Sequence, residues 1–205
     1  MPIQSNTVHF PTTGEQTWPV QGEWTYEDYL RLPDDGRRYE IIEGVLHVTN
    51  APNMAHQYAV AEIVGEIRRF VKEQRLGIVL PAPFEIHLSE TSRPVLPDVV
   101  FIRADKQPEL DAPYYEGSPD LIVEVLSPSS VRLDRHIKFD AYERAGVAEY
   151  WIVNPRTRSV EIYTLSAGEY ALLGEFVGDE TLTSKVLPGL SIVVSSLFGS
   201  GSQGV

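Results

Sequence analysis

Cysteine is absent from the 205 residues of this chain. Disulfides, thiolate metal ligands and a cysteine nucleophile are therefore excluded, and the composition fits a reducing compartment. Positive charge is scarce: 17 Lys and Arg stand against 29 Asp and Glu, a formal net charge of −12. Proteins that hold nucleic acid through its phosphates usually present a basic face, so this balance argues against a large, tight DNA interface unless cations are gathered locally. No apolar run reaches the roughly 18 residues of a bilayer span. The opening MPIQSNTVHFPTTGEQTWPVQ has neither the basic nor the apolar region of a signal peptide. The expectation is a soluble, cytoplasmic protein with no membrane association. The sequence also contains no zinc finger, no helix-turn-helix and no GxxxxGK[ST] phosphate loop.

What is present reads as one globular domain, with 42% hydrophobic residues. Residues 1–22, rich in Thr, Gln, Pro and Gly, read as an arm, 23–198 as the domain, and 199–205 as a frayed tail. Thr25 with Asp28 three residues on predicts a capped helix over TYEDYLRL, stopped by Pro33. RYEIIEG and VLHVTN predict a hairpin turning at Gly44. From Pro52 to about Arg75, Ala55, Ala59, Ile63, Ile67 and Val71 recur at helical spacing, and Gly77 is expected to close that helix. IVLPAPFEIHL, VLPDVVFIR and DLIVEVL predict three strands, the last apolar enough to be central. A second helix follows from about Val131 to Ala145, closed by Gly146, and AEYWIVN with SVEIYTL predicts another hairpin. A short strand or two and the segment LSIVVSSLF complete the chain. The class is α/β or α+β, with a mixed central sheet flanked by helices.

Two of these apolar strands carry a carboxylate, Asp98 in one and Glu124 in the other. An ionised carboxylate in a central strand costs several kcal/mol unless it is paired, hydrogen-bonded or bound to a metal. A strand-end acid facing solvent or a salt bridge accounts for either one alone. Two on consecutive strands can come within reach of one hard divalent ion, which takes one or two carboxylates plus waters and phosphate oxygens. In the following helix Asp134 and Lys138, four apart, share a face. They are either a solvated ion pair or a lysine reaching back to the strand end. Glu85 is a further acid on the intervening strand, and Tyr142 reads as core.

In order and spacing, RYEIIEG, the Pro52–His56 helix start, LPDVVFI, LIVEVLSPS, the Asp134–Lys138 pair and GVAEYWIVNP resemble the PD-(D/E)xK restriction-endonuclease-like superfamily. More narrowly, they resemble a large bacterial family of restriction-endonuclease-like proteins first catalogued as a domain of unknown function. The resemblance runs from about Trp24 to Leu165 and implies an αβββαβ core with an N-terminal β-hairpin. It implies a metal-dependent endonuclease that hydrolyses DNA phosphodiester bonds, with Asp98 and Glu124 holding Mg²⁺ or Mn²⁺ and Lys138 completing the catalytic set. The superfamily places its lysine two residues after the second acid, where this chain has Leu126; Lys138 matches the lysine of relatives in which it comes from the next helix. Glu43 matches the family's early acid and His56 its first-helix histidine, both as supporting residues.

Between Ser127 and Val160 six basic residues face four acids, so weak, salt-sensitive DNA binding is expected, and a homodimer is common among such nucleases. Leu126 and the acidic charge favour a second reading, an inactive nuclease-like interaction module. A third, a hydrolase of a small phosphorylated substrate, also suits an acidic chain.

Overall fold

The computed structural model describes residues 17–199. Thr25 does cap a helix: its hydroxyl accepts from Asp28 N while the Asp28 carboxylate accepts from Thr25 N, but α1 (Tyr26–Tyr29) is a single turn. Next come β1 (Arg38–Ile42) and β2 (Val45–Thr49), an antiparallel hairpin whose two turn residues, Glu43 and Gly44, both have positive φ, as a two-residue turn matched to strand twist requires. Gly44 is needed twice over, because a Cβ there would lie 2.4 Å from the Gly22 carbonyl oxygen. Residues 20–24 dock on this turn, with Gly22 N and Trp24 N both donating to Gly44 O. The part of the arm that is described is thus pinned, through these bonds, a Trp18–Trp24 stack and Gln21 bonded to the Leu46 backbone. The rest of the arm, 1–16, and the tail beyond Gly199 lie outside the described residues.

Helix α2 (Met54–Gln74) starts at an Asn53 cap and buries Ala59, Ile63, Ile67 and Val71. Burying each such Ile contributes roughly 1.5–3 kcal/mol. Two details differ from expectation. Ala55 is exposed and His56 takes the buried place at the helix start. The left-handed residue that ends the helix is Arg75 (φ 55°), while Gly77 is required because a Cβ would meet Ile102 O at 2.1 Å.

The segment expected as one strand is two: β3 (Gly77–Pro81) and β4 (Glu85–His87) belong to different sheets. Pro81 and Pro83 remove ladder donors at the break. After β5 (Val99–Arg103), β6 (Tyr114–Glu116) pairs in parallel with β4, and β7 (Leu121–Val125) follows. Residues Leu133–Lys138 form a π-helical turn that runs into α3 (Phe139–Ala145), ended by Gly146 at φ 84°. Then come β8 (Glu149–Asn154), β9 (Ser159–Ser166) and β10 (Glu169–Val177), the last far longer than the short strand expected. β11 (Thr181–Thr183), β12 (Ser191–Val193) and a 3₁₀ turn at Val194–Leu197 close the described chain.

The main sheet runs β10-β9-β8-β7-β5-β3, with only β7 and β8 parallel, so the chain has the mixed α/β architecture that its pattern predicts. β7 is central and wholly buried. Val123, Val125, Val99 and Phe101 face α2, whereas Ile122, Leu126, Val100 and Ile102 face α3. Glu124, alternating with Ile122 and Leu126, therefore points to the α3 side. Among the described residues no helix is long and apolar enough to cross a membrane.

Candidate active site

β5 and β7 are antiparallel with Val99 opposite Val123, so the next pair outward is Asp98 opposite Glu124. The Asp98 carboxylate is 4% exposed and tightly held: Oδ1 lies 3.0 Å from Arg38 Nη1, and Oδ2 accepts from Val125 N at 2.9 Å and lies 3.1 Å from His56 Nε2. Burial opposes its charge, but His56, Arg38 and Lys138 outweigh burial and hold its pKa below the usual range. Asp98 is ionised at any ordinary pH.

Glu124 is equally buried but differently placed. Its Oε1 accepts from Lys138 Nζ at 2.8 Å and Tyr142 OH at 2.7 Å. Burial pushes its pKa well up, and the neighbouring charges of Asp98, Asp134 and Glu40 add to the shift against the pull of Lys138. Tyr142 is core, as expected, and also a hydrogen-bond donor to the strand acid.

Lys138, 2% exposed, does reach back to the strand. Besides Glu124 it contacts Glu40 Oε1 at 2.8 Å and Asp134 Oδ1 at 4.0 Å. Burial works against its charge, yet Glu124, Glu40 and Asp134 raise its pKa above the ordinary lysine value, so it keeps its proton. The π turn presents Asp134 and Lys138 to the same cavity, and Tyr150 OH donates to the Asp134 carbonyl at 3.0 Å. Such turns recur at functional sites. Asp134 is pushed up to about 6 by burial, against the pull of Lys138 and Ser130. Leu126, at the position where the superfamily pattern has lysine, packs instead in the core beneath α3.

Of the first hairpin's acids, the one that lines the cavity is Glu40 and not Glu43, the supporting residue expected from the sequence. Glu43 sits in the turn, about half exposed, 3.5 Å from Arg144 and bonded to Ser92, away from the cavity. Glu40, three residues earlier, is the buried one; it alternates with Ile42 toward the core and also accepts from Leu96 N. Arg38, on the same strand face, was likewise not singled out. Glu85 also lies elsewhere, accepting from Tyr26 OH at 2.9 Å beside His87. His56 is at the cavity wall, against Asp98.

Asp98, Glu124, Glu40, Asp134, Lys138, Arg38 and His56 thus line a polar cavity of about 30 Å³, room for a water or two. Four carboxylates crowd around two permanent cations, Arg38 and Lys138, and the upward shifts of Glu124 and Asp134 are the mark of that crowding. Among the described residues no three acid or histidine side chains form a ready metal cage. The donor set still fits Mg²⁺ or Mn²⁺, which need only one or two carboxylates when substrate and water oxygens complete the shell. Arg38 Nε and His56 Nδ1 are buried without a hydrogen-bond partner, and Arg38 Nε is thereby a spare donor for an oxygen-rich ligand.

A strand pair delivering two acids to a helix lysine, on a mixed sheet, defines the restriction-endonuclease-like class. The sequence matches the Uma2 family model, described as "Putative restriction endonuclease", over residues 26–195, and the chain belongs to that family. A crystal structure described as a "putative nuclease belonging to DUF820", from Anabaena variabilis, shares the fold with a TM-score of 0.73 at 22% identity, covering 88% of this chain and 98% of that one. No curated protein matches the chain.

Proposed function

We propose that the chain is a metal-dependent DNA endonuclease whose active site is the cavity walled by β1, β7, Asp98 just before β5, and the Leu133–Lys138 π turn. The observation that carries this reading is the burial of Asp98, just before β5, and of Glu124, on the opposed strand β7, in one acid-rich cavity with Lys138. Asp98 and Glu124 would hold Mg²⁺ or Mn²⁺, which when bound polarises a phosphoryl oxygen and lowers the pKa of an attacking water. Lys138 is a fixed positive charge, not a base, and offsets charge growing on the phosphate. Arg38 and His56 fix the Asp98 carboxylate, and the spare Arg38 Nε would donate to a phosphate oxygen. Water adds to phosphorus, the opposite P–O bond breaks, and the leaving oxygen takes up a proton.

The six basic residues between Ser127 and Val160 support only weak, salt-sensitive binding. Lys138 is inside the cavity, Arg135 pairs with Glu161, Arg144 with Glu43, and Arg158 donates to Gly199 O. Arg132 and Arg156 are exposed with no ion pair among the described residues. The small cavity and the charge of −12 also favour a second reading, hydrolysis of a small phosphorylated substrate.

The test is cleavage of plasmid and single-stranded DNA with Mg²⁺ or Mn²⁺, comparing wild type with Asp98→Ala purified identically. Metal-dependent cutting lost in the variant supports the proposal. No cutting by either protein, with turnover of a small phosphodiester, supports the second reading, and equal cutting by both contradicts the site.

A further inference from the structure

Beside the cavity, and joined to it at Ser127, which lines both, lies a groove of about 590 Å³. In a chain with 29 acids, no Asp or Glu is among the residues that line it, while Arg156 is, together with Arg135, whose guanidinium is paired with Glu161. Its amides are turned one way. Asn53 Oδ1 accepts from His56 N at 3.0 Å, and Asn154 Oδ1 accepts from Arg156 N at 3.0 Å and Thr157 N at 3.4 Å. With both carbonyl ends engaged by backbone, the NH₂ ends are left as donors in a groove that Arg156 also lines. Pro128, Val131 and Pro155 add apolar surface. A groove of donors, positive charge and apolar wall suits a ligand rich in acceptor oxygens and nitrogens with one flat apolar face, and its volume suits one nucleotide.

We propose that this groove seats the nucleotide next to the scissile phosphate of single-stranded DNA, with Arg156 on the flanking phosphate. The proposal rests on the nuclease reading of the adjoining cavity. A base enters such a groove only when unpaired and unstacked, which a single strand permits at least cost. The supply of cations agrees. Arg132, next to Val131, and Arg156 offer about two phosphate contacts, against the roughly 6–10 with which duplex-binding proteins gain affinity. Two contacts on a single strand give a salt slope of about −1.4 in log K against log salt.

The experiment measures fluorescence anisotropy of a labelled oligothymidylate of about eight nucleotides, in EDTA so that nothing is cut, over a salt series. Wild type and Arg156→Ala are compared, and the complementary duplex is the competitor. Arg156 is exposed and its side chain makes no ion pair among the described residues, so its loss leaves the fold intact. The expected result is about tenfold weaker binding by Arg156→Ala, a slope reduced to about −0.7, and a duplex that competes poorly. Equal affinity of wild type and Arg156→Ala, preference for the duplex, or no binding by wild type overturns the groove assignment. The cleavage assay judges the nuclease reading separately: cleavage with an inert Arg156 leaves that reading standing, and Arg156-dependent binding without cleavage leaves the groove as a nucleotide site.

Discussion

Replacing Lys138 by Met removes the one ammonium that touches Glu40 and Glu124, both at 2.8 Å, and approaches Asp134 at 4.0 Å. Met fills most of the volume, so packing changes little and the loss is electrostatic. Breaking a buried pair from one side costs about 3–5 kcal/mol, because the partner charges stay behind without compensation. Here several carboxylates share the deficit, and they relieve it by taking up protons. Asp134 already sits at about 6, above the ordinary carboxylate value, and without the lowering influence of Lys138 it moves higher. Between those limits the folded protein binds more protons than the unfolded chain, so stability must fall as pH rises. Urea unfolding followed by Trp fluorescence should therefore show Lys138→Met destabilised by about 3–5 kcal/mol near pH 8 and by clearly less near pH 5. A variant within about 1 kcal/mol of wild type at both pH values would mean that Lys138 does not balance the acid cluster.

Tyr142→Phe deletes the 2.7 Å bond to Glu124 and should lower metal affinity about tenfold, measured by the Mg²⁺ dependence of cleavage, with stability reduced by about 1 kcal/mol. Mg²⁺ should raise the melting temperature of wild type at neutral pH but progressively less as pH falls through about 6, where Asp134 takes up its proton; a pH-independent shift would refute this. Glu149→Ala strands Trp151 Nε1 and the backbone nitrogens of Lys185 and Val186, three donors to one fully buried carboxylate, and should cost about 3 kcal/mol or more in chemical unfolding while leaving the metal response of the folded protein unchanged.

The central strand, the long helix and both hairpins were legible because each buries one periodic apolar face. So were the positions of Asp98 and Glu124, since a carboxylate amid apolar strand residues breaks its own pattern. The same logic, applied to RYEIIEG, marks Glu40, flanked by Tyr39 and Ile41 and alternating with Ile42. Glu43 was preferred because its place beside Gly44 matched a family position, and the turn carries it outward. The π turn was not legible, because local sequence at Leu133–Lys138 reads as ordinary helix and the wider turn is supported by tertiary partners such as Tyr150. β10 escaped because EYALLGEFV lies half exposed at the sheet edge with a bulge at Leu172/Gly174, which blurs a period of two. The groove donors are invisible in sequence: which end of an Asn amide is engaged depends on the backbone folded against it.

The central claim is that the crowding of Asp98, Glu124, Glu40 and Asp134 in one cavity makes a divalent cation site. Electron paramagnetic resonance of Mn²⁺ titrated into the wild type, Asp98→Asn and Glu124→Gln tests this without reference to any substrate. The account predicts bound Mn²⁺ in the wild type that Mg²⁺ displaces, and loss of that signal in both variants. Mn²⁺ that stays free in the wild type, or binds all three proteins alike, would contradict it.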